Sequence, residues 1–366
     1  MAANTDFSYI DKYKCDNNIV TIICILLLFV LMINQLTFNE EVKAGTLGIY
    51  KKLKNSIPDI EWPLIAPYVY EINKLKKNTN SIILAHNYQT PQIFYGVADI
   101  VGDSLALAIE ATKVKQDNII MCGVHFMAET AKIMSPQKRV FLPNLKAGCS
   151  LADSITGKDV IQLKKKYPGI PVVSYVNTSA DVKAETDVCC TSANAVKVVE
   201  SLNVKKVIFL PDEYLAKYVA SQTKVEIISW HGKCEVHEQF SEKDIRELRN
   251  NYPELTVIAH PECPPDVIKA SDFTGSTSHM VQYVKKNKPK NVFLVTECSM
   301  SDNIEIENPT TNFVKPCNTC PHMKSITLKN ILDCLKHKKN EILIDSTTIQ
   351  RSRGSIEKMI AIGRQN

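Results

Sequence analysis

The 366-residue chain is short of several features that mark large protein classes, and each shortage excludes something. Its net charge is only +5, and lysine runs such as Lys164-Lys165-Lys166 and Lys285-Lys286 alternate with acids instead of forming a basic stripe interleaved with aromatics. No nucleic-acid partner is expected, whereas a mild positive balance suits small anionic substrates. Disordered composition is missing too: 23% charged and 45% hydrophobic residues describe an ordinary globular chain. The apolar run at 19–33 has fifteen residues, short of the roughly 20 that span a bilayer as a helix. Its flank lacks the positive n-region and small-residue cleavage site of a secretory signal. Lysines follow the run (Lys43, Lys51, Lys52, Lys54), so the body of the protein is expected in the cytoplasm, with membrane association through 19–33 left open.

Twelve cysteines are many, but their uneven placement and the adjacent pair Cys189-Cys190 argue against a secreted disulfide scaffold. Cys24, Cys122, Cys189, Cys190, Cys263, Cys298 and Cys334 read as small buried hydrophobes in a reducing compartment. Only Cys317-Asn318-Thr319-Cys320 has the form of a zinc knuckle, and no second CxxC partners it.

Three other cysteines recur at one period. Cys234 follows Cys149 by 85 residues and Cys320 follows Cys234 by 86. Each is preceded by an apolar run ending in a polar tip, at His86, Tyr175 and His260, which lie 63, 59 and 60 residues upstream of their cysteines. An acidic residue and a serine turn come next: Gly102-Asp103-Ser104, Thr191-Ser192-Ala193 and Gly275-Ser276-Thr277-Ser278. Strand patterns alternating with helical ones imply parallel sheets. The expected fold class is α/β, with three pseudo-threefold-related three-layer α/β/α domains, each on a small parallel sheet, around a central site. Expected boundaries are an extension at 1–56, then units at 57–168 (Cys149), 169–253 (Cys234) and 254–366 (Cys320), the last including closing helices at 328–336 and 356–362 and a candidate strand at 342–344. The first unit is expected to carry a helix at 90–100.

Ligands of such sheets collect at the carboxyl ends of the strands. Ser104, Ser192 and Ser276 to Ser278 each open a helix pattern, where a serine caps the helix and the amides attract anions. Three thiolates from three units can hold a 4Fe-4S cluster by three of its irons, leaving the fourth open as a Lewis acid. Dehydration or condensation chemistry is the consequence.

The segments AHNYQ, GDSL, MAETAKIMSP, AGCSLAD, VSYVNTSADVKAETD, CCTSANA, WHGKCEVHEQF, AHPECP, GSTS and CPHM resemble, in matching order from Ser81 to Met323, the quinolinate synthase family. That resemblance implies a transferase of NAD biosynthesis, which condenses iminoaspartate with dihydroxyacetone phosphate to quinolinate, releasing phosphate and water. L-aspartate oxidase or aspartate dehydrogenase is implied as the upstream supplier. Carried over onto this sequence, the cluster ligands are Cys149, Cys234 and Cys320, with Cys317 the spare. The implied catalytic residues are His86, Tyr88 and Glu262; the implied substrate-binding residues are His86, Ser104, Tyr175, Asn177, Ser192, His260, Glu262, Ser276 and Thr277. His125, His231 and His237 are candidates to support the site, and His279, His322 and His337 read as structural. Diphthamide-type radical enzymes and the diphosphate reductase of isoprenoid synthesis share the three-cysteine architecture, though AHNYQ, HPE and GSTS speak against them. A non-catalytic metal-stabilised protein is the alternative of a different class.

Overall fold

The computed structural model describes residues 36–363 other than Cys317. The apolar run at 19–33 therefore lies outside the described residues. Among those described, no helix is long and apolar enough to cross a membrane.

Three four-stranded parallel sheets form the molecule. The first contains β1 (Ser81–His86), β2 (Ile100–Gly102), β3 (Asn118–Cys122) and β4 (Arg139–Phe141). The second contains β5 (Val172–Tyr175), β6 (Val188–Cys190), β7 (Lys206–Leu210) and β8 (Glu226–Ser229). The third contains β9 (Leu255–Ala259), β10 (Phe273–Thr274), β11 (Asn291–Val295) and β12 (Asn312–Phe313). In every sheet the spatial order is second, first, third, fourth, so one topology is used three times. Helices cover the faces, which is why the inner strands are apolar on both sides: Ile83, Leu84, Val173, Phe209, Val257 and Phe293 are all buried.

The acidic residue of the repeat has a defined task. Asp99, Asp187 and Asp272 each accept from an amide of the first strand of their sheet (Ile83, Val172 and Val257, at 2.9, 2.8 and 2.8 Å). Each also donates its own amide to the carbonyl of that same residue. The pairing holds the start of the short second strand, which would otherwise have few ladder bonds.

The sequence pattern was misleading where a few residues had to serve two ends. Instead of a helix over 90–100, a four-residue helix (Pro91–Phe94) is followed by β2. The apolar period there reflects burial of Ile93 and of Val97, whose carbonyl accepts from Lys76 of the helix Trp62–Asn78, not a continuous helix. The strand expected at 342–344 is absent: a single antiparallel bridge joins Phe141 to Glu341. The last closing helix is longer than expected, Ser346–Ile362. It starts at Asp345, whose carboxylate accepts from Thr348 N, and ends at Gly363, where φ is 69° and glycine carries no Cβ penalty. It packs on the helix Ala180–Ala184, on β6 and on the helix His125–Met134, joining the first two units. Ile356 and Met359 are its fully buried apolar residues. Ile356→Ala is expected to lower the unfolding free energy by roughly 2–5 kcal/mol, read as a shifted urea midpoint at unchanged slope.

Candidate active site

Each cysteine of the repeat lies in the loop leaving the fourth strand of its sheet: Cys149 after β4, Cys234 after β8 and Cys320 after β12. One backbone bond fixes each loop. The first helical residue after the third strand donates its amide to the carbonyl two residues before the cysteine: His125 to Ala147 (2.7 Å), Glu213 to Gly232 (2.8 Å) and Cys298 to Asn318 (3.2 Å). The chain then turns so that each sulfur accepts from the amides two and three residues ahead: Leu151 and Ala152, Val236 and His237, His322 and Met323.

All three cysteines line one cavity. Burial is the main cause that pushes the thiols up, Cys149 to about 12, Cys320 to about 11 and Cys234 well upward. Each sulfur nevertheless accepts two amide N–H bonds, which favour the anionic form. Buried thiols supplied with anion-stabilising donors suit a cationic iron centre, and the donor set fits three-cysteine ligation of a cluster. A second grouping also invites a metal: Cys234, His237 and Glu262 offer ligand atoms within 4.8 Å of one another. These groups are bonded among themselves, however: His237 Nδ1 lies 3.1 Å from Cys234 Sγ and 2.9 Å from Glu262 Oε2.

All but one of the residues implied as catalytic or substrate-binding converge on the same cavity; of the supporting candidates, His237 lines it, whereas His125 and His231 do not. His86, Tyr88, Ser104, Tyr175, Asn177, Ser192, His260, Glu262 and Thr277 line it. Ser276 does not: it is buried and caps the helix Thr277–Asn287 by accepting from His279 N. The expected capping role fails for the other two serines. Asp103 caps the helix Ser104–Ala111, and Ser192 stands before the cap Asn194 with its hydroxyl 3.2 Å from His260 Nε2. Ser104 and Ser192 are thus free of the cap bond and turned to the cavity. His322, read as structural, also lines the cavity, with Nε2 2.9 Å from Glu235 Oε1. Cys298, read as a plain buried thiol, is disulfide-bonded.

A chain of polar contacts crosses the cavity floor. Tyr175 Oη donates to Glu262 Oε1, and His237 faces Glu262 Oε2. His237 Nε2 lies 2.9 Å from Thr296 Oγ1, which is 2.6 Å from Tyr88 Oη. His237 also stacks on His260, their ring centroids 4.8 Å apart. Burial alone would push the Glu262 carboxyl up; the imidazoles of His260 and His237, with the bonds from His237 and Tyr175, outweigh it and leave the group at about 2. Burial lowers His86 to about 4 and His260 to about 3, so both rings are neutral at pH 7. Tyr88 and Tyr175 are held well above the usual phenol range, first by burial and then by the Glu262 charge. Both therefore keep their protons. Sequence reasoning missed Thr296, Asp103 and Thr191, and gave His237 only as a candidate. Asp103 stood inside the recognised GDS turn, but no spacing marked Thr296 at the end of β11.

Comparison with known proteins agrees with this geometry. A family profile described as quinolinate synthetase A protein matches residues 70–361. A quinolinate synthase 2 of Mesorhizobium japonicum is 56% identical over 321 residues, 88% of this chain and 99% of the relative. A quinolinate synthase of Xylella fastidiosa is 59% identical over 291 residues, 80% of this chain and 86% of the relative. One from Caulobacter vibrioides is 54% identical over 327 residues, 88% of this chain and 89% of the relative. With its threefold sheet topology and the match covering most of its length, the chain belongs to the quinolinate synthetase A family.

Proposed function

We propose that the protein is a quinolinate synthase, condensing iminoaspartate with dihydroxyacetone phosphate and using a 4Fe-4S cluster held by Cys149, Cys234 and Cys320. The observation that carries the reading is the convergence of these three sulfurs, one from each like unit, on a cavity that also holds Glu262. When bound, the cluster supplies Lewis acidity at an iron without a protein ligand, toward an oxygen function of the substrate.

The chain's own residues account for binding and proton movement. The amides opening the helices Ser104–Ala111 and Thr277–Asn287, with the hydroxyls of Ser104, Ser192 and Thr277, supply donors for two carboxylates and a phosphate. Asn177, whose Oδ1 is buried with no hydrogen-bond partner in the described structure, adds an amide to the wall. Glu262 is the base. Its carboxylate is ionised, and the hydrogen-bonded Tyr175 and His237 hold its two oxygens in fixed directions. The isomerisation of a ketose phosphate and the imine-to-enamine shift both need a proton taken from carbon and returned nearby. Neutral His86 and His260 accept or donate without first losing a charge, and Tyr88, tied through Thr296 to His237, is the protonated acid across the cavity. We place the supply of iminoaspartate with an aspartate-oxidising partner enzyme, and the activity in the cytoplasm.

Anaerobic iron reconstitution followed by assay with iminoaspartate and dihydroxyacetone phosphate tests the reading. Cys149→Ala, Cys234→Ala and Cys320→Ala are each expected to lose the broad visible absorption and the activity, whereas Cys317→Ala retains both; full iron content in the first three would refute the ligand set. Glu262→Gln is expected to keep its iron and lose about 100-fold or more in kcat; a normal kcat would remove its role as base. A zinc-stabilised binding protein would instead show no colour and tolerate Glu262→Gln.

The two neutral histidines also set a pH dependence. Their folded pKa values, about 4 for His86 and about 3 for His260, lie below the ordinary 6.5. The unfolded chain therefore takes up protons first as pH falls, so this share of the stability is complete above pH 6.5 and is lost progressively toward pH 4 and then 3. Urea midpoints measured on the parent chain should decline through that window, and His86→Gln should flatten the decline.

A further inference from the structure

The three cysteine loops share one backbone anchor but not the same side-chain bracing. The loops of Cys149 and Cys234 are tied to each other: Ser150 Oγ donates to Lys233 O at 3.1 Å and accepts from Glu235 N at 3.2 Å. Trp230 Nε1 adds a bond to Ser154 O at 3.0 Å. The Cys320 loop meets them through the half-exposed contact of His322 with Glu235 and a bond from Asn144 Nδ2 to Ser325 O at 3.0 Å. Its buried support comes from the opposite side.

The residue capping the helix after the third strand is Val124 in the first unit, Asp212 in the second and Glu297 in the third. Val124 has no polar group to offer, and Asp212 accepts through Oδ1 from an amide of its own helix, its buried Oδ2 having no hydrogen-bond partner in the described structure. Glu297 is fully buried, and one carboxylate oxygen accepts from Ser299 N at 2.8 Å. Its longer side chain also reaches near enough to the backbone amide of Cys320 for that amide to favour its charged form. Glu297 Oε1 lies 3.4 Å from Lys324 Nζ, which also donates to Ser299 Oγ. Lys324 closes the circuit: it sits on the four-residue helix that Cys320 opens, and its amide donates to Cys320 O at 3.0 Å. A carboxylate with no exposed side-chain surface needs such a cation, and the cation is delivered by the loop that must be held.

We propose that Glu297 and Lys324 are a positioning pair that fixes the Cys320 sulfur in register with Cys149 and Cys234. The inference rests on the reading of Cys320 as a cluster ligand. Glu297 touches no substrate; it acts through the loop. Its neighbour Thr296 is bonded to Tyr88 and His237, so the same two residues join the cysteine loop to the proton-handling side of the cavity.

The test compares the full-length parent with Glu297→Gln, Lys324→Met and Lys324→Arg. In iron-free protein without reductant, which leaves the Cys298 disulfide in place, alkylation of each cysteine by iodoacetamide is followed by peptide mass spectrometry. In iron-loaded protein, the loss of visible absorption to a chelator is timed. Both Glu297→Gln and Lys324→Met should make Cys320 react roughly tenfold faster, because alkylation samples the locally opened loop. Cys149 and Cys234 should react as in the parent, chelation should be faster, and Lys324→Arg should restore both rates. Equal acceleration at all three cysteines would mean a general loosening and overturn the proposal, as would no change at Cys320. If Glu297→Gln fails to fold, Lys324→Met decides alone, since it leaves the helix cap intact. A parent chain that takes up no iron would sink the cluster reading only, because the alkylation pattern is obtained without iron.

Discussion

The amide-to-carbonyl bond that ties the end of each third strand to the residue two before each cysteine is the constraint on which the site depends. It links a rigid element, the buried central strand, to a loop that would otherwise have no fixed position. Because the three sheets share one strand order, the same bond made three times brings three sulfurs to one place. Little precision has to be supplied by side chains. The backbone turn that follows then aims two amides at each sulfur, so donors for an anion are present before any cation arrives.

That arrangement also determines the electrostatics of the cavity. Three thiols and the carboxylates of Asp103, Glu235 and Glu262 line one space, and like charges there would repel unless neutralised. The sulfurs are pushed toward their protonated forms by burial, while the imidazoles of His260 and His237, with the bonds from His237 and Tyr175, hold Glu262 below the ordinary carboxylate range. His237 is bonded on one side to this carboxylate and to Cys234, and on the other to Thr296. A cation at the sulfurs would therefore be felt at Glu262 through a single imidazole. Glu262 and the sulfur end of the cavity are thus electrostatically one unit, and changes at either should move the other.

How much of this was legible beforehand depends on whether the information was local. The 85- and 86-residue spacing of the cysteines, the polar strand tips and the acidic residues that prove to be Asp99, Asp187 and Asp272 are local signals repeated three times, and repetition made them readable. The short second strands were not readable: β10 has only two residues and owes its place to Asp272 and to pairing with β9, which no window of its own sequence reveals. Two of the serines were placed correctly at the cavity, but the capping part of the reading failed. Ser104 and Ser192 were read as caps, yet neighbours Asp103 and Asn194 occupy the cap positions and leave the hydroxyls to the cavity. Thr296 and the true position of His322 depend on contacts between units, and such contacts leave no periodic trace.

Symmetry of this kind makes departures from it informative. Where the three units agree, as in the backbone bond and the amides at each sulfur, the feature serves what is common to them, the convergence of the cysteines. Where they differ, one unit has been given a separate task. At the strand-end cap, valine, aspartate and glutamate occupy corresponding places, and the side chain grows by the length needed to reach from helix to cysteine loop only in the third. At the polar tip, the first and third units carry histidines whose burial keeps them neutral, and the second carries Tyr175, which donates to Glu262 of the third. A cofactor bound on a threefold axis asks for three equal arms, but a reaction has a direction. The chain meets both demands by repeating its backbone and varying the side chains mounted on it.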